Sequence, residues 1–302
     1  MLAPVGGRNM TRFHGALFMV ASSVCWSTGG ILVRSVTADV WTIVFWRSLV
    51  LALVLGAYLG LRHGRRAPEM FRATGYAGLL SSLLIAASFV LFILAITNTL
   101  VADAMVIMSS APLISALLGR LVLGERVKPL TIAAMAAAFA GIGVMVWGGS
   151  GEEATNASIL GGLFAFGVAV TWGVNIVVVR AARHIDLLPA MSLAGLFAAL
   201  AAWPLASPLS VSAHDLGMMA LMGSFQLALG LAFFLRGAPY LLAAEVGLLA
   251  LLETVLAPIW VWIGVGEVPA TTTIIGGGIV ITALAAHSAL GIRRSKPPVG
   301  MT

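Results

Sequence analysis

Ten stretches of this chain are each long and apolar enough to cross a lipid bilayer, and that recurrence constrains the fold more than any single residue does. A helical crossing needs about 20 mostly apolar residues. Such runs cover roughly 14–33, 40–61, 73–96, 100–123, 129–148, 159–179, 187–206, 215–235, 240–264 and 270–290. Hydrocarbon offers no partner to a backbone N–H or C=O, so runs of this length become helices whose hydrogen bonds close internally. Composition agrees, with 60% hydrophobic and 9% charged residues and a mean hydropathy of +1.06. The expected class is an all-α integral membrane protein with ten transmembrane helices.

The net charge of +6 does not indicate nucleic acid, because the basic residues lie in short clusters between apolar runs. Lysine and arginine near span ends are retained on the cytoplasmic side. With the N-terminus inside, Arg8, Arg12, Arg62, Arg65, Arg66, Arg72, Arg120, Arg126, Lys128, Arg180, Arg183, Arg236, Arg293, Arg294 and Lys296 all face the cytoplasm. Arg34 alone lies outside, and Arg47 falls within a span. Trp41, Trp147, Trp203, Trp260 and Trp262 would sit near the outer interface, as an aromatic belt does. Both termini are therefore expected in the cytoplasm of a multi-pass protein of the cell inner membrane. The first span is read as a retained helix rather than a signal peptide, because it is as long as a crossing and more crossings follow. A lone cysteine, Cys25, excludes an intrachain disulfide framework.

The spans are duplicated. Ala102, Gly124 and Glu125 recur as Ala244, Gly266 and Glu267, a shift of 142 residues, with Asp103 opposite Glu245. Gly15, Leu17, Phe18, Val24, Trp26, Val33 and Arg34 recur as Gly161, Leu163, Phe164, Val170, Trp172, Val179 and Arg180, a shift of 146. Five spans per half is an odd number, so the second half must enter from the opposite face. The chain is expected to form two inverted five-helix repeats, 1–150 and 151–302, joined by an outer loop at 149–158. Transporters built this way bind substrate near the bilayer midplane between the halves.

The duplicated unit, with APLISALLGRLVLGE in one half and LLETVLAPIWVWIGVGE in the other, resembles the EamA-type drug/metabolite transporter superfamily. Within it the chain is most similar to the bacterial branch that exports aromatic and other amino acids. The resemblance covers nearly the whole chain and rests on the order and duplication of its motifs. It implies a ten-helix carrier that exports small metabolites by alternating access. The family's Glu-Pro pair in the second half reads Glu253-Thr254 here, with Pro258 further on, which implies a kink displaced by a turn.

Ionisable groups deep in a span cost roughly 2.5 to 3.5 kcal/mol each on insertion scales, so they need a partner or a task. Arg47 and Glu253 are two such groups, and their repeat counterparts, Leu193 and Ala111, are neutral. An ion pair between the halves, with a gating or coupling role, is one expectation; a pair that only fixes helix packing is the other. Asp103 and Glu245 are symmetry mates that would either line opposite vestibules or simply favour the first turns of their helices. Trp26 and Trp172 are the mid-span pair, candidates for cavity walls or for packing on nearby glycines. Asn175, one turn beyond Trp172, and Gln226 carry amides that hydrocarbon cannot satisfy. Ser82 and Ser109 complete the candidate substrate-binding set, although small hydroxyls in membrane helices mostly satisfy backbone carbonyls. The small-residue faces of spans five and ten suggest scaffold helices.

No HExxH or paired-cysteine pattern occurs, and GRLVLGER at 119–126 has P-loop glycine spacing but Glu125 where lysine is required. No cofactor, metal site or catalytic set is expected, so the chain is not read as an enzyme. The expected partners are a small-molecule substrate, an amino acid or similar metabolite, and the lipid bilayer. No nucleic-acid partner is expected, a monomer is compatible with the sequence, and the oligomeric state stays open. The leading reading is a secondary transporter exporting apolar or aromatic amino acids. Alternatives are export of other metabolites or cationic drugs and, in different classes, a lipid-modifying membrane enzyme or a channel.

Overall fold

The computed structural model describes residues 12–98, 101–125, 127–147, 156–265 and 271–294. Among them there is no strand. Helical segments occupy all ten expected places: α1 (Arg12–Arg34), α2 (Val40–His63), α3 (Gly75–Asn98), α4 (Val101–Met108 and Ala111–Leu123) and α5 (Pro129–Trp147) come first. Then follow α6 (Asn156–Ala181), α7 (Leu188–Ala202), α8 (Ala213–Leu221, Met222–Leu229 and Gly230–Gly237), α9 (Ala243–Ala250 and Leu252–Val265) and α10 (Thr271–Arg294). Among the described residues, seven helices are long and apolar enough to cross a membrane; Ala111–Leu123, Pro129–Gly141 and Ile274–Ala283 are shorter apolar helices. Leu61, Tyr76, Leu121 and Ile263 stand among many outward-facing apolar side chains, as lipid contact requires.

Local chemistry sets the helix ends. Asp39 caps α2, its carboxylate accepting from the N–H groups of Trp41 and Thr42 and from the Thr42 hydroxyl. Burial pushes the Asp39 carboxyl up, and these hydrogen bonds outweigh it, leaving the group below the usual carboxylate range. The expected closing turn of α4 is present: Gly124 takes φ of 64°, a left-handed conformation that suits glycine.

The packing repeats along with the sequence. α1 packs with α8 as α6 does with α3; α1 packs with α9 as α6 does with α4; α2 packs with α8 as α7 does with α3. The pairs α2–α7, α4–α9 and α5–α10 map onto themselves. Exchanging the first five helices for the last five thus leaves the main packing pattern unchanged. Contacts run antiparallel between α3 and α6, Ser81 with Asn175 and Ser88 with Thr171, and parallel between α1 and α9, Arg12 with Glu245 and Ser27 with Trp260. Consecutive helices therefore alternate in direction, which gathers Arg12, Arg62, Arg65, Arg66, Arg72, Arg120, Arg180, Arg183 and Arg236 at one end of the bundle, called here the basic end.

Three segments are interrupted near mid-length. α1 turns at Thr28, α4 at Ser109-Ser110 and α9 at Leu251. In α4 the i→i+3 bonds Ser110 N to Ile107 O and Leu113 N to Ser110 O tighten the turn ahead of Pro112. In α9 the equivalent bonds are Leu251 N to Leu248 O and Thr254 N to Leu251 O. The kink in α9 is therefore not displaced to Pro258; it falls at Leu251, the repeat mate of Ser109. Tightened turns, with Gly247 lying against Pro112 so that a Cβ would fall 2.7 Å from its Cα, hold the bend without a local proline.

Candidate functional site

The interrupted helices converge on a cavity of about 140 Å³. Its walls come from α1, α2, α3, α4, α6, α8 and α9. Among the described residues, α5 and α10 contribute nothing to it; they pack against each other through small residues, with Gly141 so near Gly276 that a Cβ would lie 2.6 Å from the carbonyl oxygen.

Six of the ten residues singled out from the sequence line this cavity: Trp26, Trp172, Ser109, Gln226, Arg47 and Glu253. Trp26 and Trp172 touch edge to face, with ring centroids 4.9 Å apart and planes at 85°. Repeat mates can meet only near the axis that relates the halves, so this contact marks the centre of the molecule. Phe234 closes on both rings, at 5.7 Å from Trp26 and 5.1 Å from Trp172.

Arg47 is 1% exposed, the largest fully buried side chain among the described residues. Its Nη2 donates to the Phe89 carbonyl at 3.0 Å, and the guanidinium lies 5.4 Å from the Phe89 ring centroid and 5.8 Å from that of Phe92. Those contacts fix the head and satisfy part of it. Its Nε has no protein partner. Glu253 lines the same cavity, and among the described residues it makes no hydrogen bond and no ion pair. The direct Arg47–Glu253 ion pair expected from the sequence is thus not formed: the guanidinium is held by α3, and the carboxylate sits just past the break in α9.

Gln226 sits in a π-helical stretch, Met222–Leu229, of the kind often associated with functional sites. Its Nε2 donates to the Trp26 carbonyl at 3.4 Å, while Oε1, also buried, has no protein partner. A Cβ at Gly29 would meet Nε2 at 2.3 Å, so the absence of a side chain there is what admits the amide.

The remaining four candidates lie elsewhere or are not described. Asn175 is not a cavity wall: three helical residues beyond Trp172 rotate it towards α3, where its Oδ1 accepts from Ser81 at 2.6 Å. Ser82 is not a wall either, since its hydroxyl serves the carbonyls of Gly78 and Ala190, at 2.7 and 2.8 Å. Glu245 lies at the basic end, where it pairs with Arg12 and accepts from the Leu242 N–H at 3.1 Å. The Asp103 side chain, Glu267 and the 149–155 linker lie outside the described residues. Trp260, expected at an interface, turns its indole N–H inward to the Ser27 hydroxyl at 2.8 Å. Phe89, Phe92 and Phe234 were not singled out, because a phenylalanine in an apolar span carries no signal of its own.

A second polar cluster lies at the basic end. Arg180 Nε donates to Glu125 Oε1 at 2.8 Å, and its guanidinium also bonds the Pro239 carbonyl. The other oxygen of Glu125 accepts from Ala243 N–H at 3.0 Å, capping α9. Among the described residues, no three or more His, Cys, Asp or Glu side chains come together as a metal site needs.

A helical bundle, apolar outside and built around a central cavity with a few buried polar groups, defines the class of multi-pass membrane proteins with an internal cavity. The chain belongs to the EamA-like transporter family, whose model matches it twice, over residues 13–147 and 159–288. The family is one of membrane transporters. A solved structure titled "Crystal structure of protein" is 18% identical and covers 93% of this chain and 99% of its own, with a TM-score of 0.78; that likeness shows the fold alone. No curated protein matches in sequence.

Proposed function

We propose that this chain is a secondary carrier that exports small metabolites, foremost amino acids with apolar or aromatic side chains, by alternating access. All ten helical segments cross the bilayer in this reading, as two inverted halves. The basic end and both termini face the cytoplasm of a cell with an inner membrane, in keeping with the retention of Lys and Arg on that side. One observation carries the proposal: the cavity is walled by helices from both stretches that match the family, and the breaks of α4 at Ser109 and of α9 at Leu251 line it. Interrupted helices expose backbone groups to a bound polar molecule while the apolar remainder seals the path.

Purified protein in liposomes tests it. Uptake of labelled L-phenylalanine should saturate and should accelerate when unlabelled L-phenylalanine is trapped inside. Flux that never saturates, or no flux across a broad panel of amino acids and other metabolites, would overturn the reading.

A further inference from the structure

Two buried polar atoms of residues that line one cavity have no protein partner, Arg47 Nε and Gln226 Oε1, and the partly buried Glu253 on the same wall makes no hydrogen bond or ion pair among the described residues. Buried polar atoms in native structures nearly always have partners, so two exceptions beside an unpaired carboxylate around one space call for a ligand that supplies them. The set has a definite chemistry. One member is a cation with a free N–H donor, one a carboxylate, and one a neutral acceptor. Around them the wall is aromatic, with Trp26, Trp172, Phe89 and Phe92.

From this we infer that Arg47 and Glu253 are the specificity-determining residues of the carrier, Arg47 receiving the substrate's carboxylate and Glu253 its ammonium. The inference deepens the proposed function and rests on it. Arg47 suits the task because α3 already holds it: the Phe89 carbonyl and two ring faces fix the guanidinium, leaving Nε for an incoming oxygen. Glu253 suits its own, with no competing bond among the described residues and a place beside the turn at Leu251. Gln226 Oε1 is a second acceptor for an ammonium hydrogen, and the tryptophan pair takes the apolar side chain. Charge balance also favours a zwitterion. A simple amine leaves Arg47 without a counter-charge, and a simple carboxylate leaves Glu253 so, each at the cost of an unpaired charge in a low-dielectric site. An α-amino acid answers both at once and adds no net charge to the cavity.

The experiment is competition against L-phenylalanine counterflow by three analogues that each remove one charge: L-phenylalaninamide, phenylethylamine and N-acetyl-L-phenylalanine. In the wild type each should compete at least about tenfold more weakly than L-phenylalanine, the size of one lost charge-assisted bond. Arg47→Gln should raise the KM for L-phenylalanine by a similar factor and abolish discrimination against the amide, while keeping discrimination against the N-acetyl compound. Glu253→Gln should do the reverse. A purely structural role would weaken all four compounds alike and leave their ratios intact, which overturns the inference. So does a wild type that carries L-phenylalanine but accepts the amide or amine equally well, a result obtained even if neither variant folds. Absence of saturable counterflow in the wild type would instead strike the parent reading.

Discussion

At the scale of single residues, the centre of the molecule depends on side chains that are missing as much as on those present. Trp26 lies so close to Gly230 that a Cβ there would meet the indole Nε1 at 2.4 Å. Gly230→Ala must therefore shift α8 or turn Trp26 away from Trp172. Overpacking of this kind costs about 1 to 3 kcal/mol, and the displaced indole would deform the cavity. The variant should unfold at lower temperature in detergent and lose transport, whereas Gly278→Ala, with nothing within 4 Å, should do neither. Equal behaviour of the two would mean that α8 yields freely. The sequence revealed Trp26 and Trp172 through their depth and repetition, and Arg47 and Glu253 through the cost of a buried charge. It misplaced Asn175 and Ser82 because depth in a span says how far along a helix a residue lies. Which neighbour that residue faces is decided by packing.

Among whole helices, polar contacts tie α3 to α6 at two heights: Ser81 with Asn175, and Ser88 with Thr171 at 2.6 Å. Interhelical hydrogen bonds in membranes are worth about 0.6 kcal/mol on average and up to about 1.7. A double-mutant cycle of Ser88→Ala and Thr171→Ala, read by reversible unfolding in detergent, should return a coupling within that range. A coupling of zero would show that each hydroxyl is satisfied by its own helix, an outcome for which Thr171 has the means, since it also reaches the Gly167 carbonyl at 2.9 Å. The helices themselves were legible, because a run of apolar residues long enough to cross has few other ways to fold. Their interruptions were only half legible. Ala111-Pro112 announces a bend in α4, but the matching break at Leu251 has no proline and is held by i→i+3 bonds and by contact with α4. The π-helical stretch around Gln226 follows from packing that no local pattern encodes.

For the whole molecule, the two halves agree in their packing and differ at the cavity. Arg47, Glu253, the turn at Thr28 and the π-helical stretch of α8 have no counterparts, whereas the cluster at the basic end is made of duplicated residues. Arg180 and Glu125 bind each other there, and the repeat equates them with Arg34 and Glu267. If the halves exchange conformations during transport, as proposed above, Arg180–Glu125 holds the basic end in one state, and the repeat predicts that Arg34 and Glu267 hold the opposite end in the other. Neutralising either glutamate should then bias the protein towards opening at that glutamate's own end. In a Cys25→Ala background, a cysteine in place of Ser109 reports access to the cavity. Glu125→Gln should raise its labelling by a membrane-impermeant maleimide applied to the basic face, and Glu267→Gln should raise labelling from the opposite face. Loss of one charge pair that water still reaches in part is worth about 0 to 1 kcal/mol, up to roughly a fivefold shift in population, so the change should be graded rather than complete. If both variants changed labelling on the same face, the duplicated pairs would be parts of the scaffold, and the exchange of states would have to be driven from the cavity, where the halves differ.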